Sequence, residues 1–329
     1  MRLLFLTDTH HRGTSPQNRL DNFPASQKEK LQEVVALVEK HKVDFVLHGG
    51  DFWDNPFPAL NVCGEILEIY RAISVPIYAI AGNHDLYGHN LNTLHRTMLG
   101  FMARLGLVQL LKPGVPVYLK KEGLGLQLTG QSYHYDMDRR DPALDYCVRK
   151  EKCDLAIHMV HGLLADRSLG NIIRHTVVDR ILTTEADLTL AGHYHLGFPP
   201  VEVDDRYFLN PGALVRVNNH PSEISRRPAV ILIDLSGGAI NYQLLHLQSA
   251  LPGKLVLDRE QVELKMQREE RLADFVRGVK AAGEYYGLDL GEMVATIAAK
   301  ETLSPAVREE ALRRLALAQE DFQTGGARA

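Results

Sequence analysis

The chain has 329 residues, 45% apolar and 24% charged, with a formal net charge of −4. This is enough for one large domain with an appendage or for two domains, and it excludes wholesale disorder. The absence of a basic balance means that any nucleic-acid contact must come from a local basic patch or from cations.

The predicted elements open β-α-β-α-β. An apolar run at 2–7 reads as a buried strand, and 26–41 as an amphipathic helix with Leu31, Val34, Val35 and Val38 on one face and Ser26 as N-cap. Strand 43–47, helix 59–73 and strand 76–80 follow. Such an order favours parallel pairing with helices on the sheet faces. The pattern continues with a helix at 91–104, weaker strands at 115–130, a helix at 141–150 and strands at 154–160 and 187–191. From 199 to 246 short alternating strands are closely spaced, which suggests antiparallel pairing. The expected fold class is therefore α/β (α+β), a two-sheet sandwich flanked by helices.

Composition shifts near residue 250, giving an expected catalytic domain at 1–250 and a small helical C-terminal region at 251–329. In that region Leu272, Phe275, Val276 and Val279 form one stripe, a second helix spans 288–300, and a third begins at Ser304-Pro305. Cys63, Cys147 and Cys153 form no CxxC pair and read as reduced thiols. The start, MRLLFLTD, is too short for a signal peptide, and no long apolar run occurs, so a cytoplasmic protein without a membrane span is expected.

Five short motifs follow predicted strands. They are Asp8-Thr9-His10, Gly49-Gly50-Asp51-Phe52-Trp53-Asp54, Gly82-Asn83-His84-Asp85, His161-Gly162 and Gly192-His193-Tyr194-His195. Strand C-terminal ends in an open α/β sheet converge on one crevice, so distant residues can meet there. Carboxylates, imidazoles and an amide suit divalent Mn, Fe or Zn without thiolates. A carboxylate is the natural bridge between two such ions. The histidines outside these motifs, among them His41, His89, His95, His175 and His220, read as ordinary surface or core residues. His48 reads as packed, and His11 is open between the two roles.

The ordered set D-x-H, G-D-x-x-D, G-N-H-D, H and G-H-x-H resembles the calcineurin-like metallophosphoesterase superfamily. The resemblance implies two divalent metal ions, Mn2+ foremost with Fe or Zn as alternatives. One would take Asp8, His10, Asp51 and His195, and the other Asp51, Asn83, His161 and His193. His84 would sit over the substrate and protonate the leaving oxygen, with Asp54 paired to it. The segment Asn210-Pro211-Gly212-Ala213-Leu214-Val215-Arg216 and the Phe52-Trp53 form of the second motif are similar to the SbcD-type nuclease subunit of the SbcCD complex.

That similarity implies a DNA exo/endonuclease acting in repair or recombination, with an SbcC-like coiled-coil ATPase bound through the helical C-terminus and a possible homodimer through helix 91–104. Arg12, Arg19 and Arg216 are candidate phosphate contacts, and the pairs Arg139-Arg140 and Arg226-Arg227 could extend a basic rim. The rival readings are a phosphatase or phosphodiesterase for a small nucleotide, and a non-catalytic scaffold subunit.

Overall fold

A computed structural model describes residues 1–258 apart from 171, and in the tail 264, 267, 268, 271, 272, 274 and 304–314. The chain divides into two compact units, Met1–Val262 and Glu263–Ala329. The first unit begins β1 (Arg2–Leu6), α1 (Phe23–Lys40), β2 (Phe45–His48), α2 (Leu60–Arg71), β3 (Ile77–Ala79), α3 (Met98–Arg104) and β4 (Gln109–Leu110). It continues with β5 (Val117–Lys121), β6 (Leu124–Gln131), α4 (Ala143–Tyr146), β7 (Leu155–Val160), β8 (Leu164–Ala165), β9 (Thr176–Val177) and β10 (Leu188–Ala191). It closes with β11 (Phe198–Val203), β12 (Arg206–Asn210), α5 (Pro221–Ser225), β13 (Ala229–Asp234), β14 (Asn241–His246) and α6 (Gly253–Val256).

Two six-stranded sheets carry the fold, ordered β14-β13-β1-β2-β3-β4 and β11-β12-β10-β7-β6-β5. In the first, β1 to β4 are parallel and β13 and β14 add antiparallel at one edge. In the second, β6, β7, β10 and β12 are parallel, and β5 and β11 are antiparallel edges. The expected antiparallel strands of 199–246 are thus two hairpins, β11/β12 and β13/β14, placed in different sheets.

The period-two alternation of β1 shows how the layers form. Leu3 and Phe5 face the second sheet, packing in one cluster with Leu128, Ile157, Met159 and Leu190. Leu4 and Leu6 face the other way, onto Leu31, Val34 and Val38 of α1 and Ile66 and Tyr70 of α2. The outer face of the second sheet carries a smaller cluster, with Val160, Ala191 and Phe208 against Tyr146, Leu164 and Ile181. The two sheets flanked by helices are the α/β sandwich that the strand order predicted.

Some helix boundaries differ from expectation. α1 starts at Phe23, because Asn22, not Ser26, caps it by accepting from the Ala25 N–H, with a proline in the first turn. The helix expected over 91–104 is broken: Leu91–Arg96 is a 3-10 stretch, and Thr97 caps α3 through the Gly100 N–H. The helix expected at 141–150 shrinks to the single turn of α4. Its remainder is held extended along β6, where Gln127 donates to the Arg149 carbonyl and accepts from the Glu151 N–H.

In the tail, 305–314 is helical from Pro305 onward, with Glu310 paired to Arg313 and Arg314. Leu272 is helical and exposed. Phe275, Val276, Val279 and the helix expected at 288–300 lie outside the described residues. No helix among the described residues is long and apolar enough to cross a membrane.

Candidate metal centre

Each motif sits just beyond the C-terminal end of a parallel strand: Asp8 and His10 after β1, Asp51 after β2, Asn83 and His84 after β3, His161 after β7, His193 and His195 after β10. The loops must turn within two or three residues. Asp8, His10, Asp51 and His193 all adopt a left-handed backbone, with φ of 53°, 43°, 52° and 70°. Such strain in non-glycine residues persists only where the surroundings over-determine it, as at functional sites. Gly82 is needed for a different reason. A Cβ there would lie 2.1 Å from Asp51 Oδ1, so only glycine lets the second and third motif loops close on each other.

The side chains converge. Donor atoms of Asp8, His10, Asp51 and His195 lie within 4.8 Å of one another, as do those of Asp51, His161 and His193. Asp51 is common to both groups. His10 Nε2 is 3.0 Å from His195 Nε2 and 3.6 Å from Asp51 Oδ2, and His195 Nε2 is 3.5 Å from Asp8 Oδ1. On the other side, His161 Nε2 lies 3.3 Å from Asp51 Oδ2 and 3.2 Å from Asn83 Oδ1.

Surrounding groups decide which atom of each ligand points inward. The His161 Nδ1–H donates to the Gly49 carbonyl at 2.7 Å, which leaves Nε2 as a lone-pair donor. Asp51 Oδ1 accepts from the His84 main-chain N–H at 2.8 Å, which leaves Oδ2 inward. Asp8 accepts from Thr7 Oγ1 at 2.6 Å and from the His193 N–H. Asp85 ties the loops together, accepting from the main-chain N–H of Gly82 at 2.9 Å and of Trp53 at 3.2 Å. Sequence reasoning gave Asp85 no role, although its place in the third motif was a signal.

Divalent cations fit this donor set. Among the described residues Asp51 Oδ2 is buried without a hydrogen-bond donor, although the Nε2 atoms of His161 and His10 stand 3.3 and 3.6 Å away, an arrangement that is unfavourable unless a cation is the intended partner. The set contains only oxygen and imidazole nitrogen, the chemistry of borderline divalent metals. The carboxylates draw positive charge strongly. Burial works to raise Asp8, but the adjacent imidazoles of His10 and His195, 3.8 and 3.5 Å away, and the charge of His161 hold it well below the usual carboxylate range. Burial works to lower His161, yet the negative charge of Asp51, whose Oδ2 is 3.3 Å from Nε2, pushes it up to about 9. Burial dominates at His193, which is pulled down to about 3 and so kept neutral, as a ligand must be.

His84 stands beside the cluster, its ring 4.8 Å from that of His10. The Asp54 carboxylate lies within 4.8 Å of ring nitrogens of His84 and His10, but the hydrogen bond expected between it and His84 is made by the Asp54 main chain instead. His84 Nδ1 lies 2.9 Å from the main-chain oxygen of Asp54, whereas the carboxylate meets Arg12 Nη1 at 3.1 Å. Main-chain geometry wins because the turn after β2 already brings that carbonyl beside the ring.

Of the expected phosphate contacts, only Arg12 stays partly exposed near the cleft. Arg19 is turned inward, bound in two places to Asp21, donating to the Arg216 carbonyl and lying over the Phe23 ring. Arg216 is buried and donates to the carbonyls of Arg226 and Leu251. Both arginines satisfy main-chain oxygens of the 210–258 region, so neither is free for substrate. Of the expected basic rim, Arg226 is turned inward, binding Glu223 and the carbonyls of Ala213 and Val215, whereas Arg139, Arg140 and Arg227 stay exposed, Arg140 while paired to Asp145. His11 points away from the cluster to the Tyr70 hydroxyl, and His48 stacks on Phe52. The segment from Asn210 clamps the last histidine loop, since the Ala213 N–H donates to the His195 carbonyl and Asn210 Nδ2 to that of Tyr194.

Residues 1–197 match the calcineurin-like phosphoesterase family. Among solved structures, a dimetal phosphatase from Danio rerio is 10% identical, over 75% of this chain and 96% of its own, with a TM-score of 0.49. A structure from Thermus thermophilus is 12% identical, over 74% of this chain and 98% of its own, with a TM-score of 0.44.

Proposed function

The chain belongs to the calcineurin-like phosphoesterase family, whose members are metal-dependent hydrolases, and from that premise we propose that it cleaves phosphodiesters and that its substrate is DNA. One observation carries the phosphoesterase chemistry, and the choice of a diester rests on the likeness to SbcD-type nucleases. His84 is fixed beside the metal-ligand cluster by a main-chain acceptor at Nδ1, which leaves Nε2 as the free ring nitrogen. An alkoxide leaving from a phosphodiester needs a proton, and histidine is the side chain best matched to give one near neutral pH. Two divalent cations held by Asp8, His10, Asp51, Asn83, His161, His193 and His195 would supply charge that acidifies water and faces the phosphoryl oxygens.

The remaining roles belong to the chain itself. Thr7 and the His193 N–H fix the Asp8 carboxylate, and the Gly49 carbonyl fixes the His161 ring. The Asp54 carbonyl assigns the proton to His84 Nδ1, because a carbonyl can only accept. DNA as the substrate rests on the likeness of the motif order and of the 210–216 segment to SbcD-type nucleases. The same likeness underlies manganese as the metal, work in DNA repair, an SbcC-like coiled-coil ATPase as partner through the helical tail, and a homodimer, while a cytoplasmic location rests on the cysteine usage and the short apolar start.

The test compares bis-p-nitrophenyl phosphate with p-nitrophenyl phosphate at fixed Mn2+, followed by single-stranded and duplex DNA. The diester should be preferred and DNA degraded. Preference for the monoester with DNA untouched would overturn the reading in favour of a small-nucleotide phosphatase.

A further inference from the structure

Tyr133 lies in the loop after β6, outside all five motifs. Its ring centroid is 5.5 Å from that of His193 and 6.3 Å from that of His161, both candidate ligands. On another side it meets His89 edge-on at 5.3 Å. The ring is only partly buried, and among the described residues no hydrogen bond holds its hydroxyl. Its main chain is tightly placed: the Tyr133 N–H donates to the Ala81 carbonyl at 2.9 Å, and the Ala81 N–H donates to Ser132 Oγ at 3.0 Å. The ring is thus registered against the strand end that carries Asn83.

His89 is presented by a turn in which Gly88 and His89 both have left-handed backbones, φ 55° and 58°. For histidine that conformation is unfavourable by itself, and it brings the imidazole to Tyr133. Two residues beyond Tyr133, the exposed Tyr135 carries the Arg139 guanidinium 4.3 Å from its ring centre. Partly exposed aromatic rings with an arginine nearby are what single-stranded nucleic acid uses for base stacking and backbone neutralisation.

We propose that Tyr133, with His89, seats the nucleobase next to the scissile phosphate by stacking, which makes the site selective for nucleotide esters over simple phosphodiesters. This rests on the phosphodiesterase reading above and specifies its substrate. Adjacency to His193 and His161 makes the occupant a base of the reacting nucleotide, because a ring there borders the cluster where the phosphate must lie. Stacking uses the ring face and not the hydroxyl, which agrees with a hydroxyl left without a partner.

The experiment uses the full chain with Mn2+ and two substrates, the p-nitrophenyl ester of thymidine 5′-monophosphate and the same ester of abasic deoxyribose 5-phosphate. The wild-type protein should show a KM about tenfold lower for the base-bearing ester. In Tyr133→Ala that ratio should fall to about one, and in Tyr133→Phe it should persist. Bound metal, counted by elemental analysis, should stay the same in all three. Equal KM values for both esters in the wild type overturn the proposal while leaving the diesterase reading intact. So does a Tyr133→Ala effect that is equal on both esters and accompanied by lost metal, since the ring would then only cover the ligands. No turnover of either ester removes the diesterase reading and this proposal together.

Discussion

His84 hangs from the main chain of Asp54, its Nδ1 2.9 Å from the carbonyl oxygen, while the carboxylate of the same residue is turned to Arg12. Orientation of the imidazole therefore does not depend on the Asp54 side chain.

It follows that Asp54→Asn should keep His84 in place and lower kcat on DNA by less than about tenfold. His84→Ala should lower it by about 10²–10⁴-fold, the range of a lost general acid. On bis-p-nitrophenyl phosphate the His84→Ala loss should be much smaller, because the aryl oxide leaves without a proton. Steady-state kcat for the three proteins on both substrates checks this, and equal damage from the two substitutions on DNA would contradict it.

Asp51 joins both ligand groups, and among the described residues its inward oxygen accepts no hydrogen bond. Asp51→Asn should reduce bound metal from about two ions per chain to one or none, with activity lost in parallel. Chelation should lower the Tm of the wild-type protein, since a ligand at one hundred times its Kd stabilises by about 2.7 kcal/mol. The variant should show little shift with chelator. Elemental analysis and thermal melts with and without EDTA give the answer, and full metal content in the variant would disprove the bridging role.

A stability effect is expected at His158, three residues before His161 in β7. Its Nε2–H donates to the Asp145 carbonyl at 2.9 Å and its Nδ1 accepts from Thr129, so the neutral ring is satisfied. Burial, only partly offset by that carbonyl, pulls it down to about 4. A histidine depressed on folding leaves the unfolded chain binding more protons between its folded and unfolded values. Stability from this group is therefore present above about pH 6.5 and is lost as pH falls towards 4. Between pH 7 and 5 the loss is about 2 kcal/mol. In urea unfolding of the metal-free protein, His158→Gln should make that decline shallower by this amount. An unchanged slope would refute it. His11, shifted down to about 3 by burial, acts in the same direction and leaves a residual slope.

Arg216 supplies the contrast between structure and substrate binding. Removing its buried side chain leaves the partly buried carbonyls of Arg226 and Leu251 without that donor. Arg216→Ala should destabilise the fold by about 2–4 kcal/mol and leave KM for DNA within twofold. Urea midpoints and steady-state kinetics separate the two effects. A large rise in KM with unchanged stability would restore Arg216 to the substrate surface.

Much of the site could be read from residues alone because its chemistry is written in local motifs. Each ligand follows a short apolar strand, and parallel strands deliver their C-terminal ends to one crevice whatever the details of packing. The helix over 91–104 was less legible: the apolar spacing ran on across Thr97, while the cap that breaks it depends on Gly100 pressing against the Leu94 carbonyl. The roles of Arg19 and Arg216 were misjudged because charge in a sequence does not reveal whether a guanidinium faces water or a buried carbonyl.

The opening β-α-β-α-β alternation and the five motifs that follow strands are properties of composition and short-range spacing, and the set of candidate ligands came from the resemblance those motifs carry. Long-range geometry supplied the rest. Asp54 reaches His84 through its backbone, two arginines are spent on main-chain oxygens, and Tyr133 borders His193 across 60 residues of chain. Such choices are set by which polar groups are left unpaired once the sheets have packed, and that count exists only in the folded molecule.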